Sequence, residues 1–155
     1  MHFPSFRRPL LALSISALLA TAAHAADQVK VGMLSTLSGP GAGLGIDIRD
    51  GFNLALKHMN GKLGNLPAEV IVADDQQNPE VAKQTAERLL KRDKVDFMTG
   101  TVFSNVMLAV GTPAFQNKTF FISPNAGPSQ YAGAQCNPYF FNVSRHIDDL
   151  HEAAG

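Results

Sequence analysis

The sequence predicts an α/β fold: an open, mostly parallel sheet with helices on both faces. Three observations lead there. Short β-branched and apolar runs recur along the chain, helix-periodic segments separate them, and the connections are short. Strands buried on both faces lose polar alternation, and "VKVGML", "AEVIVA" and "TFFIS" have that near-continuous apolar character.

Residues 1–25 stand apart from this alternation. Arg7 and Arg8 precede the apolar run 10–23, and Ala23-His24-Ala25 supplies small residues for cleavage before Ala26. A basic start, a short apolar core and a small-residue end make a secretory signal peptide, and the run is too short for a comfortable membrane span. An exported, periplasmic chain is expected.

The first strand is residues 29–34. The helix 46–59 follows, with Ile48, Phe52, Leu56 and Met59 at helical spacing and Asn60-Gly61 as its stop. The second strand is 68–73. Asn78 then offers an N-cap, Pro79 suits the first helical position, and Glu80 favours the positive helix end. That helix carries Ala82, Ala86, Leu89 and Leu90 on one face. The third strand is 95–100, and Ser104 is placed to cap a third helix running toward Gln116, which Pro113 is expected to kink or split. Strands at 119–123 and 139–143 flank the turn-rich "PNAGPSQYAGAQCNP", and "DDLHEAAG" opens another helix.

Composition excludes several function classes. Removing residues 1–25 takes Arg7 and Arg8 with it and leaves 11 basic against 13 acidic side chains, with no basic cluster to bind nucleic acid. Cys136 is the lone cysteine, so no internal disulfide is available. His146 and His151 are five apart, on different faces of a helix, which argues against a zinc pair. Asp74 and Asp75 are adjacent on an extended chain and point to opposite sides; one is expected to brace the loops and the other to face solvent.

The stretch "LSTLSGPGAGLGIDIRDG" has a phosphate-loop appearance but not its chemistry. No glycine in it starts a G-x-G-x-x-G, and Ile46 follows Gly45 where a P-loop needs lysine. No nucleotide, metal or other cofactor is expected. No G-x-S-x-G elbow is present either, which argues against an exported hydrolase and against an enzyme. In an open α/β sheet ligands lie beyond the carboxyl ends of the strands. Four loops fall there: the glycine-rich one, with residues 38–45 as a wall, and those at 74–79, 100–105 and 123–127.

The segments "VGMLSTLSGPGAGLG", "VADDQQNPEVAKQTAERLL", "VDFMTGTVFS" and "FFISPNAG" together resemble the N-terminal portion of type I periplasmic solute-binding proteins. The nearest branch is the leucine/isoleucine/valine-binding group that serves ATP-binding-cassette importers. The resemblance runs from about Val29 to the end of the chain. It implies a non-enzymatic monomer that captures a small carboxylate solute between two lobes and delivers it to a membrane permease. Residues 26–143 would form part of the first lobe and 144–155 the crossover toward the second. A sensor domain with the same fold is the second reading.

The resemblance also implies site residues. Ser104 matches the serine that receives a ligand carboxylate, and a helix N-terminus favours an anion on physical grounds as well. Asn125 and Gly127 match the next wall, although amino-acid binders tend to have a small residue and a threonine there. Leu44 stands where such binders often have tyrosine, and Phe103 is available to stack on a ring. These departures favour an aromatic acid over an α-amino acid.

Overall fold

A computed structural model describes residues 27–145 and 147–152. Residues 1–25, expected above to be a signal peptide, His146 and the His151 side chain lie outside the described residues.

The described residues form a six-stranded sheet in the order β2-β3-β1-β4-β5-β6. β1 (Val29–Ser35) pairs in parallel with β3 (Leu66–Asp74) and β4 (Phe97–Thr99). β5 (Phe120–Ser123) and β6 (Phe140–Asn142) continue the parallel ladder. The two-residue β2 (Lys62–Leu63) runs antiparallel to β3. Their hairpin turn is Gly64-Asn65, both at positive φ, as a two-residue hairpin loop requires.

Helices α1 (Ala42–His58), α2 (Pro79–Arg88), α3 (Ser104–Gln116), α4 (Ser129–Ala132) and α5 (Ile147–Glu152) connect the strands. α1 starts four residues before its expected position, so Gly43 and Gly45 belong to the helix rather than to a loop. Asn60 and Gly61 do end it, both at positive φ. α2 begins as expected: Asn78 Oδ1 accepts from the backbone N–H groups of Glu80 (2.9 Å) and Val81 (3.3 Å), and Pro79 follows it. A π-helical turn, Leu89–Asp93, extends α2 and ends at Lys94 in the left-handed region. α3 runs through Pro113 as one element, which corrects the expectation of a split. Pro113 falls in its last turn, where it costs one backbone hydrogen bond.

The two faces of the sheet are covered unequally. Leu34, Met98 and Phe121 point to one side and are fully buried with Ala82, Ala86 and Leu89 of the α2 segment and Val106, Met107 and Val110 of α3. Each large side chain buried there stabilises the fold by roughly 1.5–3 kcal/mol before entropy is counted. Tyr131 of α4 closes the end of this layer, edge-on to Phe115 with ring centres 5.3 Å apart. On the opposite side α1 packs over the end of β1, where the Ser35 hydroxyl donates to the Gly45 carbonyl. Beyond α1 that face is open. Phe97, Phe120, Ile122 and Phe141 line a wholly apolar groove, with Phe120 45% and Phe141 51% exposed.

Candidate functional site

The parallel ladder brings the ends of β1, β3, β4 and β5 to one edge, and hydrogen bonds sort their loops into two groups. The loops after β1 and β3 are tied to each other. The Thr36 hydroxyl donates to Asp75 Oδ1 at 2.6 Å, and the Gln77 N–H donates to the same oxygen at 2.8 Å. Asp74 Oδ1 accepts from the N–H groups of Leu37 (2.8 Å) and Gln76 (2.9 Å). Burial alone raises the Asp74 pKa. Hydrogen bonds from the Ser38 hydroxyl and from the backbone of Leu37, Gln76 and Ser38 outweigh it and hold the carboxyl below its ordinary value.

Both aspartates therefore brace loops, and neither faces solvent freely. Asp75 is 0% exposed, and its Oδ2 has no hydrogen-bond partner among the described residues. The two carboxylates accept from different donors, and the exit of β1 supplies one to each, Thr36 to Asp75 and Leu37 to Asp74.

The loops after β4 and β5 form the second group and line an open cavity of about 480 Å³. Phe103 and Ser104 line it from the start of α3, Asn125 and Gly127 from the loop after β5, and Arg145 from the linker between β6 and α5. The Asn125 amide donates to the Val102 carbonyl at 2.7 Å, and the Ala126 N–H donates to the Thr101 carbonyl at 3.3 Å. The Ser123 hydroxyl fixes the turn from within by donating to the Ala126 carbonyl at 2.6 Å. Asn125 thus stitches two loops together rather than closing its own.

Ser104 is the first residue of α3, not its cap. Phe103 occupies the N-cap position with extended backbone (φ −104°, ψ 140°) and gives no side-chain cap. The first N–H groups of a helix lack intrahelical acceptors. At α3 they open beside the cavity together with the Ser104 hydroxyl, which has no hydrogen-bond partner among the described residues. Phe103 does two things at once: its partly buried ring packs on the core and also forms part of the cavity wall. A Cβ on Gly41 would stand 2.6 Å from that ring, so Gly41 lets the glycine-rich turn approach.

The structure therefore brings Ser104, Asn125, Gly127 and Phe103 to one cavity. Leu44 does not line it; it is 54% exposed on the first turn of α1. Residues 38–45 do not line it either; α1 has already begun at Ala42, and Gly41 lies against the Phe103 ring of the wall. Of the four loops expected to share a crevice, two do. Ser144 and Arg145 were missed. Their position after β6 puts them at the sheet edge where the other loops gather, but no motif or spacing marks them.

Residues 28–155 match the family model described as periplasmic binding protein. The chain belongs to this family. It is similar to the Leu/Ile/Val-binding protein homolog 6 of Brucella abortus, 31% identical over 136 residues that make up 87% of this chain and 34% of that protein. Among solved structures it resembles an R. palustris solute-binding protein of an ABC transporter in complex with benzoate. There the TM-score is 0.78 and the identity 32%, over 81% of this chain and 35% of that one. A second, from Rhodopseudomonas palustris BisB5 in complex with 3,4-dihydroxybenzoic acid, gives a TM-score of 0.72 and 29% identity over 77% of this chain and 32% of that one. The chain spans about a third of the length of these relatives. The type I periplasmic binding fold of ABC importers, reached above from four sequence segments, is thus the fold of this protein, and substrate-binding proteins rather than enzymes make up its family.

Proposed function

We propose that this chain supplies part of the first lobe of an exported solute-binding protein, which captures a small carboxylate in the periplasm and passes it to an ABC permease. The observation that carries this reading is the start of α3: uncapped N–H groups and an unpartnered serine hydroxyl at the wall of a cavity. Such a terminus carries partial positive charge and free donors, which suit an anion that is bound and released unchanged. Residues 26–143 belong to the first lobe, and 144–155 begin the crossing to a second lobe that closes over the solute. Residues 1–25 direct export and are removed.

Within that class we place aromatic acids ahead of branched-chain amino acids. The cavity wall offers the Phe103 ring, and Asn125 and Gly127 depart from the pattern of amino-acid binders. Two of the relatives described above hold benzoate-type acids, while the Brucella relative bears a Leu/Ile/Val-binding name, so the preference rests on the wall residues. Leu44 is retained as an outer apolar contact. A thermal-shift screen of the full-length protein tests the reading: benzoate-type acids raise the melting temperature and leucine does not. Stabilisation by leucine-like solutes alone overturns the aromatic preference. Ser104→Ala is expected to weaken carboxylate binding about tenfold while leaving the melting temperature of the free protein unchanged. Unaltered affinity would mean that Ser104 serves only to start its helix.

A further inference from the structure

The cavity contains a charged side chain that neither the sequence motifs nor the reading above uses. Arg145 lies in the linker between β6 and α5, and its backbone is held from both sides. Two residues before it, the Val143 N–H donates to the Ser123 carbonyl at 3.0 Å; two residues after it, the Ile147 N–H donates to the Gly127 carbonyl at 2.9 Å. Next to it, the Ser144 N–H donates to Asn142 Oδ1 at 3.1 Å. The linker is therefore pinned to the same loop that carries Asn125 and Gly127.

The head of this side chain is uncommitted. Among the described residues no carboxylate pairs with Arg145, and its guanidinium has no hydrogen-bond acceptor there. The acidic groups nearest in sequence do not line this cavity. Asp148 accepts from the Ser129 hydroxyl at the start of α4, and Asp149 lines the neighbouring cavity beside Tyr131. The residues lining the Ser104 cavity include no aspartate or glutamate, so Arg145 is its one full charge among the described residues. A fixed backbone, a free cationic head and a wall without acid form an arrangement that favours anions and repels ammonium groups.

We infer that Arg145 is a specificity-determining residue, which pairs with the carboxylate of the solute and selects that charged group over neutral isosteres. This rests on the carboxylate reading above and adds to it the source of the balancing charge. A guanidinium offers two parallel N–H donors matched to a carboxylate, whereas the α3 terminus and the Ser104 hydroxyl supply only partial charge. The division of labour follows: the helix start orients the carboxylate, and Arg145 supplies the countercharge.

Isothermal titration of the full-length protein with benzoate and with benzamide, its neutral isostere, tests the inference. Arg145→Gln, which keeps a polar hydrogen-bonding head but is shorter and uncharged, is expected to lower benzoate affinity by about 10–100-fold and benzamide affinity by less than about threefold. Arg145→Lys keeps the charge but loses the fork, and falls between wild type and Arg145→Gln. Unchanged melting temperatures of the free variants show that the fold is intact. Benzoate affinity within about threefold of wild type in Arg145→Gln overturns the inference, as does an equal loss for benzamide. If Ser104→Ala weakens benzoate while Arg145→Gln does not, this inference falls alone. If the wild-type protein takes up no carboxylate of any kind, the functional reading falls with it.

Discussion

At the scale of single residues, glycine choice separates space that must be empty from space that happens to be. Gly45 is buried where α1 crosses the end of β1, and a Cβ there would collide with the Thr36 carbonyl oxygen. Gly43, two residues earlier in the same helix, has nothing near a prospective Cβ. Gly45→Ala is expected to destabilise the protein by about 1–3 kcal/mol through overpacking. Gly43→Ala is expected to be neutral or to stabilise by about 0.5–1 kcal/mol, because alanine loses less entropy in a helix. Urea unfolding of the two variants reads the contrast directly. A Gly45→Ala midpoint equal to wild type would mean that the helix can slide away from the strand. The sequence alone did not distinguish these two glycines. Both stand in one run of turn-like residues, and the difference between them is a distance to the Thr36 carbonyl, nine residues earlier and just past the end of β1.

At the scale of elements, signals carried by local chemistry were legible and signals carried by assembly were not. The start of α2 was legible because an asparagine, a proline and a glutamate in succession have few uses other than opening a helix. Asn78→Ala is expected to cost about 1 kcal/mol, since Glu80 and Val81 lose their shared acceptor. A denaturation midpoint shifted by less than a few tenths of that would show that water replaces the cap fully. The start of α1 was misplaced for the opposite reason: Gly43 and Gly45 have weak helix propensity and read as turn residues, and packing on the end of β1 enforces the helix there. β2 was missed because two residues cannot show a period. For the candidate site, Ser104, Asn125, Gly127 and Phe103 were legible through strand-end position. Arg145 was not, because an arginine after a strand has no spacing of its own; only the tethers at Val143 and Ile147 show that it is held over the cavity.

At the scale of the whole molecule, the cavity is a wall rather than an enclosure. Small-solute sites bury some 70–90% of their ligand, and here two loops and a linker cover one side. Residues 26–155 produced alone are therefore expected to bind benzoate weakly or not at all by isothermal titration. Micromolar binding by that fragment would show that the cavity needs no opposing lobe. The order of the strands has its own bearing on how such a chain is made. β1 is the first strand in sequence and a central one in space: Val29 pairs with Ala68, and Val31 with Phe97. Neither flank of β1 is satisfied until segments far downstream exist, and pairings of that separation form slowly. A polypeptide emerging N-terminus first thus keeps its leading strand unzipped until the segment around Phe97 has followed it out.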